Sequence, residues 1–458
     1  MNKGFLLICL LIFVCCNESQ EKIAKSGTLI TDVSIIDVKT GTILENRFIA
    51  IDSGKIKSIS SSVENKDLYN LIIDGNGKFV VPGLAEMHAH IPSPPISKEQ
   101  LEETLFLYLS NGITTIRGML GHPSHLELRK MVQRGEVLSP RIFTSSPSLN
   151  GNTVKTPEEA IVKVTSYQKD GYDFLKIHPG ILLPVFEQVI KTANEVGIPF
   201  GGHVPVDVGI KRALESKYAT VDHVDGFLEG LVPASENVNP NNNGFFGYNF
   251  AGVADTTQIE TLVKLSKENK VWIVPTQSLF ERWFAPISTE ELIRQPEMKY
   301  MPVTTIMNWK IRKDQSTGEA TNFNKKQWQK FITIRRQLIK ALQKGGHGIL
   351  LGSDAPQLFN VPGFSIHHEM AGMLRAGMTP LEILQAGTIN PAVFFDKEDS
   401  FGQIKEGLDA DLLLVNSNPL DDIGALKKLK GVMIQGKWLD KKTIDKKLNV
   451  IAAHAQNQ

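Results

Sequence analysis

Short apolar runs separated by turn-forming residues dominate both ends of the chain. Between residues 27 and 80, the runs are divided by sequences such as Asp52-Ser53-Gly54 and Asp74-Gly75. This spacing is typical of short β-strands joined by tight turns. Similar runs return between residues 396 and 445. The pattern predicts one small β-sandwich domain that is assembled from residues 27–80 and 396–445.

The middle of the chain, residues 81–395, has a different pattern, in which apolar runs alternate with predicted helical segments. Most of these runs lack the alternation of a half-exposed strand, as expected for strands that are buried on both faces. Eight such runs occur, at 79–87, 113–117, 141–145, 174–177, 198–203, 220–223, 271–276 and 348–354. Their alternation with helices predicts an α/β fold, a (β/α)8 TIM barrel over residues 81–395.

Two long segments interrupt this pattern, and each follows a predicted strand. Residues 236–254 are rich in Asn and Gly, and residues 277–326 contain several large aromatic side chains. Loops that follow the strands of such a barrel lie on the face that carries active sites. We therefore predict that both segments shape the site, and that residues 277–326 form a lid over it.

The first sixteen residues differ from the rest and predict export. Lys3 precedes the apolar run 5–14, which is too short to span a membrane but suits a signal peptide. The run ends at Cys15-Cys16 and the chain then turns polar, which resembles a bacterial lipoprotein signal. We predict a lipoprotein-type signal peptide over 1–16, lipidation at Cys16, and a polar tether over 17–26. The protein would face the periplasm or the cell surface on this lipid anchor, and a signal peptide without lipid is the alternative.

Composition narrows the classes of function. The 458 residues are 41% apolar and 22% charged with a net charge of +1, which suits a globular protein and offers no basic surface for nucleic acid. All three cysteines lie in the first sixteen residues, so residues 17–458 have neither a thiol nucleophile nor a Cys-based zinc site. A nucleic-acid partner is therefore not expected. A homo-oligomer stays open, and residues 446–458 are predicted to be a C-terminal tail.

Metal-binding side chains stand where several predicted barrel strands end. His88 and His90 are separated by one residue, so both imidazoles share one face of a strand and suit zinc or a similar ion. Each such residue alone has an ordinary interpretation, as a hydrogen-bonded histidine or a helix cap. Their convergence on one rim of the barrel predicts a metal site. The candidate set is His88, His90, Lys176, His203, His223 and Asp354.

Lys176 is the unusual member of this set, because it ends an apolar run in which a lysine is costly unless it is paired. Burial and nearby metal charge would lower its pKa and free the neutral amine. That amine can add CO₂ to give a carbamate, which can bridge two metal ions. The alternative is an ordinary lysine that pairs with Asp222 or Asp354, or points outward between helices.

The order of these residues resembles the amidohydrolase superfamily, in its binuclear type with a carboxylated lysine. That family places His-X-His after strand one, Lys after strand four, His after strands five and six, and Asp after strand eight. Segments 81–84 (VPGL), 386–392 (AGTINPA) and 402–412 (GQIKEGLDADL) are also similar to it. Segments 202–205 (GHVP) and 364–369 (FSIHHE) resemble its imidazolonepropionase-like and Xaa-Pro dipeptidase (prolidase-type) branch.

The resemblance implies a hydrolase of C–N amide-type bonds that uses two divalent metal ions, with Zn²⁺ first and Mn²⁺, Co²⁺ or Fe²⁺ also suited to the ligands. His88, His90, carboxylated Lys176 and Asp354 would hold one ion, and Lys176, His203 and His223 the other. A metal-bridging hydroxide would attack the carbonyl, and Asp354 would pass its proton to the leaving nitrogen. Asp354 and Lys176, the latter as a CO₂-derived carbamate, are thus the expected catalytic residues.

Substrate contacts are predicted by position at His178, Arg117, His122 and His367. The chain departs from the branch at Gly118, where an acidic residue is usual, and at His178, where a tyrosine is common, so its substrate is expected to differ. The resemblance implies a small-molecule or dipeptide substrate, and a dipeptidase of the Xaa-Pro type is the first hypothesis. The alternatives are a cyclic amidohydrolase that opens an imidazolone or lactam ring, a mononuclear deaminase, and a non-catalytic ligand-binding lipoprotein.

Overall fold

A computed structural model describes residues 25–457 of the chain. The predictions for residues 1–16 and Cys16, and most of the predicted tether 17–26, lie outside the described residues. The strands are β1 (Thr28–Ile36), β2 (Ile43–Asp52), β3 (Lys55–Ser60), β4 (Leu71–Asp74), β5 (Phe79–Pro82), β6 (Leu84–Ala89), β7 (Ile113–Gly118), β8 (Arg141–Thr144), β9 (Leu175–Ile177), β10 (Phe200–Gly202), β11 (Thr220–Asp222), β12 (Trp272–Val274), β13 (Gly348–Ile349), β14 (Leu412–Val415), β15 (Leu429–Ile434) and β16 (Lys437–Asp440).

Helices follow most of the central strands. They are α1 (Lys98–Ser110), α2 (Pro123–Gln133), α3 (Pro157–Asp170), α4 (Leu183–Val196), α5 (Gly209–Glu215), α6 (Ile259–Glu268), α7 (Gln277–Glu281), α8 (Thr289–Ile293), α9 (Val303–Thr317), α10 (Lys325–Gly345), α11 (Ser365–Arg375), α12 (Pro380–Gly387), α13 (Ile389–Phe394) and α14 (Lys441–Ala455). None of the helices in residues 25–457 is both long and apolar enough to cross a membrane.

One mixed sheet contains strands from both ends of the chain. Its order is β16-β15-β14-β5-β1-β2-β3, and β4 pairs with β1. The two ends meet where β5 and β14 run antiparallel, with Val81 opposite Leu413. Side chains of β1, β2, β14 and β15 form a separate apolar cluster that includes Ile30, Ile49, Leu412 and Met433. The terminal segments of the chain therefore fold together.

The central strands are parallel and form two sheets, which confirms the predicted α/β class. One sheet has the order β6-β7-β8 and the other β13-β12-β11-β10-β9. Parallel bridges from Ala89 to Ala355 and from Ser145 to Phe174 join the edges of one sheet to the edges of the other. The carboxyl ends of these strands therefore lie near one another.

The first predicted barrel run, 79–87, is divided between two sheets. Its first half is β5 of the mixed sheet and its second half continues as β6 of a parallel sheet. Gly83 joins the halves, and a Cβ there would lie 2.1 Å from the Thr114 Oγ1 atom. The close approach of Thr114 requires a glycine at this position, so a single residue connects the two sheets.

Two segments contain more helix than the sequence predicts. Residues 277–326, predicted as a loop, contain α7, α8 and α9, and buried Lys313 of α9 donates to the carbonyls of Trp283 (2.7 Å) and Ala285 (3.0 Å). Most of the predicted tail, residues 446–458, belongs to α14, whose Leu448 and Ile451 are buried. Apolar spacing on one helix face supplies the packing of α14. The buried residues of α9 are instead Trp309 and Lys313.

Candidate metal centre

The carboxyl ends of the parallel strands bring four of the predicted histidines into one cluster. His88 lies in β6, His90 follows it, and His203 and His223 directly follow β10 and β11. The His223 ring lies 4.6 Å from the His88 ring and 4.6 Å from the His203 ring, centre to centre, and His88 and His90 are 5.5 Å apart. The strand-end pattern therefore corresponds to a real convergence of imidazoles.

Asp354 faces this cluster from the segment after β13. Its Oδ1 lies 2.6 Å from His90 Nε2 and 3.5 Å from His88 Nε2, and its Oδ2 lies 3.9 Å from His223 Nδ1. His88, His90 and Asp354 each offer a ligand atom within 4.8 Å of the others, a grouping that can hold a metal ion. Imidazole nitrogens and a carboxylate oxygen are suitable zinc ligands.

Lys176 of β9 is fully buried among these residues. Its ammonium charge is among the causes that lower the pKa of His88, His178 and His223, which places it beside them. Burial lowers the pKa of Lys176 to about 8, although the charges of Asp222 and Asp354 act in the opposite direction. Within residues 25–457 its Nζ has no hydrogen-bond partner. A buried amine without a partner is costly, so a centre completed by metal ions fits this donor set.

The histidines that follow β10 and β11 are oriented by neighbouring polar groups. His203 Nδ1 lies 3.0 Å from Asp225 Oδ2, and His223 Nδ1 lies 2.8 Å from Thr276 Oγ1. With Nδ1 engaged, Nε2 is the nitrogen left to bind a metal ion. The sequence did not single out Asp225 or Thr276, because their only signal is that each lies near the end of a buried strand.

Arg117 and Asp222 form a buried ion pair beneath the cluster. Arg117 donates to both carboxylate oxygens of Asp222 at 3.0 and 3.1 Å, and also to Met87 O and Thr220 Oγ1. Burial would raise the pKa of Asp222, but Arg117 and Lys176 more than offset it, so this pKa stays below its usual value. Asp222 Oδ2 also lies 3.0 Å from His88 Nδ1. The structure therefore places Arg117 under the site, where its donors are engaged, rather than at the predicted substrate contact.

Glu86 is a second buried carboxyl group that the sequence analysis missed. It accepts from Ser353 N (2.7 Å), Ser353 Oγ (2.5 Å) and His88 N (3.1 Å), and so connects β6 to the segment that carries Asp354. Burial raises the pKa of Glu86 to about 8. A glutamate inside a continuous apolar strand was the available signal, since charged side chains are rarely buried without a partner.

The remaining predicted contacts separate into one residue inside the site and two outside it. The ring of His178 lies 5.0 Å from the His203 ring, and its Nδ1 lies 2.6 Å from Ser148 Oγ. His122 instead caps α2, where its side chain accepts from Ser124 N. His367 Nε2 lies 3.2 Å from Asn111 Oδ1, and Asn111 precedes β7 rather than following a strand. Among the described residues, no hydrogen bond connects His122 or His367 to the histidine cluster.

Phe246 covers one side of the cluster. Its ring lies 5.7 Å from His203 and 5.3 Å from His223, centre to centre. Phe246 has a φ of 51°, a left-handed conformation that bulky residues rarely adopt and that costs roughly 1–3 kcal/mol. The adjacent Phe245 holds the segment in place by packing on Phe280, Trp283 and Phe284. The predicted Asn/Gly-rich loop thus supplies an apolar cover for the site.

Comparisons with known proteins agree with this geometry. The profile of the amidohydrolase family matches residues 79–439. Ochratoxinase of Aspergillus niger is 22% identical over 460 residues, covering 92% of this chain and 86% of that protein. A solved bottromycin amidohydrolase has a TM-score of 0.71 and 21% identity, covering 93% of this chain and 90% of its own. A Xaa-Pro dipeptidase with methionine bound in its active site has a TM-score of 0.65 and 20% identity, with 91% and 100% covered. At these identities the two structural likenesses show a shared fold.

Proposed function

The chain belongs to the amidohydrolase family and is a hydrolase of carbon–nitrogen bonds, and from this premise we propose that it cleaves the amide bond of a dipeptide or N-acyl amino acid. The observation that carries the proposal is the unpaired, fully buried amine of Lys176 among four histidines and Asp354. A purely structural lysine would be expected to have an acceptor.

We propose that two divalent ions, Zn²⁺ first, occupy the centre. His88, His90 and Asp354 would hold one ion, His203 and His223 the other, and Lys176, as a carbamate formed with CO₂, both. Bound there, the ions would polarise the scissile carbonyl and supply a water of lowered pKa. This division is supported by the short distance from Asp354 to His90 and by the engaged Nδ1 atoms of His203 and His223, which leave Nε2 to bind an ion.

The chain's own residues have separate roles in the proposed reaction. Asp354 accepts the proton of the attacking water and returns it to the leaving nitrogen. Arg117 holds Asp222 ionised beside His88, and Asp225 and Thr276 fix the orientation of the other two imidazoles. Phe246 excludes bulk water, which strengthens the electrostatic interactions inside the site.

The same premise supports finer proposals about architecture and location. The two parallel sheets, joined by bridges at both pairs of edges, would form one (β/α)8 barrel over residues 81–395. The mixed sheet would form the two layers of a small β-sandwich around its own apolar cluster. Residues 1–16 would direct export and Cys16 would carry the lipid, as the sequence pattern suggests.

A dipeptidase of the Xaa-Pro type is our first proposal for the substrate. It is supported by the GHVP and FSIHHE segments and by the structural likeness to a Xaa-Pro dipeptidase. A one-metal enzyme, as in a deaminase, is a second candidate. One observation favours it, since in residues 25–457 the grouping of potential ligand atoms within 4.8 Å at this site contains only His88, His90 and Asp354.

Replacing the bridging lysine tests the proposal. Lys176→Ala is expected to lower kcat/KM by more than about 100-fold and to reduce bound metal from two equivalents to one or fewer, because it removes a shared ligand. Bound metal is measured by mass spectrometry after dialysis. Hydrolysis is assayed with Xaa-Pro and Xaa-Arg dipeptides, N-acyl amino acids, imidazolones and lactams as substrates. The exposed Lys191→Ala is the matched control.

The outcomes separate the candidates. Two metal equivalents with release of amino acids from dipeptides would support the first proposal, and ring opening alone would favour a cyclic amidohydrolase. One equivalent in the unmodified protein would favour the one-metal enzyme. If Lys176→Ala keeps full activity and full metal content, the bridging role of Lys176 is wrong.

A further inference from the structure

A cavity of about 640 Å³ opens beside His203. Its walls come from the segments that follow β10 and β11 and from residues 240–246, and Asp225 and Phe246 belong both to the cavity and to the surroundings of the metal centre. This volume is within the range of small-molecule sites, roughly 300–1,000 Å³. His203 thus belongs both to the proposed metal centre and to the wall of this cavity.

The walls of the cavity are mainly apolar or aromatic. The lining residues include Val204, Val206, Ile210, Val232, Phe245 and Phe246. Such walls suit a methylene stem, and aromatic rings also attract a cation through their faces.

Glu229 places a carboxylate in this apolar setting. Its Oε1 accepts a hydrogen bond from Asn243 Nδ2 at 2.8 Å. Its Oε2 is buried and has no hydrogen-bond partner in the part of the chain that the structure describes. Burial, with a smaller contribution from the charge of Asp225, raises the pKa of Glu229 to about 7. A buried oxygen without a donor is unfavourable until a ligand supplies one.

The nearby cations do not satisfy this oxygen. Arg335 is close enough for its charge to act on Glu229. However, its guanidinium donates to Gln277 Oε1, His223 O and Pro275 O. Lys211 lines the cavity at an exposed position and, among residues 25–457, forms no ion pair within 4 Å. Two carboxylates, Asp225 and Glu229, therefore line the cavity against one ammonium group, that of Lys211.

We propose that this cavity receives the substrate side chain and that Glu229 selects a basic one. The preferred side chain has an apolar stem and ends in an ammonium or guanidinium group, which suits both the apolar walls and the carboxylate of Glu229. This inference rests on the proposed amide hydrolase function and specifies its substrate class.

The test compares arginine with citrulline, which has nearly the same shape and no charge. Ala-Arg and Arg-Ala are assayed against their citrulline counterparts with the metal-loaded protein, its Glu229→Gln variant, and Glu236→Gln as an exposed control on the same segment. Wild type and the control are expected to prefer arginine in one of the two positions by roughly 10- to 100-fold in kcat/KM, and Glu229→Gln to lose that preference. Glu229→Gln is expected to lower kcat/KM for the arginine dipeptides more than for the citrulline dipeptides, whereas a general loss of structure would lower both alike.

A binding measurement separates this inference from the catalytic proposal. Free arginine is expected to raise the Tm of wild type more than citrulline at equal ionic strength, and Glu229→Gln to abolish the difference. If no dipeptide is cleaved but this difference is found, the hydrolase proposal fails and the cavity assignment stands. If dipeptides are cleaved without any preference, or Glu229→Gln retains the preference, the cavity assignment is overturned.

Discussion

Two oppositely charged side chains, Arg117 and Asp222, lie buried beneath the histidines with hardly any exposed surface. Each side chain neutralises the charge of the other in surroundings of low polarity, where an isolated charge is strongly unfavourable. The pair also fixes a carboxylate 3.0 Å from His88 Nδ1. Asp222, which lies beside His88, thus depends on Arg117, a partner that contacts neither the proposed metal ions nor the substrate.

Removing the arginine should therefore reduce stability before any effect on chemistry is considered. Arg117→Met is expected to lower the free energy of unfolding by about 3–5 kcal/mol, because Asp222 is left buried and unpaired. The control Arg212→Met breaks the partly exposed pair with Glu187, for which about 1 kcal/mol or less is expected. Urea unfolding of metal-free protein measures both, so that metal binding does not contribute. Equal losses in the two variants would contradict this interpretation of Arg117.

At the scale of elements, helix α11 holds the beginning of α7 through one buried carboxyl group. Glu369 accepts from Gln277 N (2.9 Å) and Ser278 N (2.7 Å), which are unpaired donors at a helix start. α7 directly follows Thr276, the hydrogen-bond partner of His223. The contact between α11 and α7 therefore supports the orientation of a predicted metal ligand.

The titration of Glu369 gives this contact a pH dependence. Burial raises the pKa of Glu369 to about 7, despite the opposing hydrogen bonds from Ser278 and Gln277. The folded protein thus holds this proton at pH values where the unfolded chain, with a pKa of about 4.3, has released it. The contribution to stability is complete below pH of about 4.3 and is lost as the pH rises through about 7. Wild-type stability should therefore fall more between pH 5 and pH 8 than that of Glu369→Gln.

Urea unfolding of metal-free protein at several pH values measures this difference. The exposed Glu260→Gln serves as the control and should retain the wild-type slope. Equal slopes in wild type and Glu369→Gln would show that Glu369 does not take up a proton on folding.

The site residues at the carboxyl ends of strands could be predicted from the sequence. The residues that hold them in place through contacts distant in sequence could not. His88, Lys176 and His223 lie in or directly after the last residues of buried strands, and parallel strands bring their carboxyl ends together. Arg117 and Asp222 are 105 residues apart, and no local pattern pairs them. Phe246 reaches the histidines through a left-handed turn in a segment without hydrophobic periodicity. The local sequence pattern therefore predicted where the candidate metal ligands lie along the chain, whereas tertiary packing determined which residues contact them.

For the whole molecule, strand β14 connects two hydrophobic cores. Leu413 and Val415 belong to the large core that contains the central strands and helices, whereas Leu412 and Leu414 belong to the cluster of the mixed sheet. Alternate side chains of a strand face opposite sides, so one short strand is buried on both. Because β5 pairs with β14 and continues through Gly83 into β6, neither core can lose its strands without disturbing the other.

We therefore expect the mixed sheet and the parallel sheets to unfold in one cooperative transition. All natural cysteines lie in the first sixteen residues, so a chain that begins after Cys16 can carry one introduced thiol. Ala410→Cys reports on the core of the mixed sheet and Ala85→Cys on β6, and both positions are buried. Pulsed thiol labelling across a urea series should give coincident midpoints, because a shared strand couples the two cores. Earlier labelling at position 410 would mean that the terminal segments form an independently unfolding domain, and that β14 contributes packing to the central core without coupling its stability to the mixed sheet.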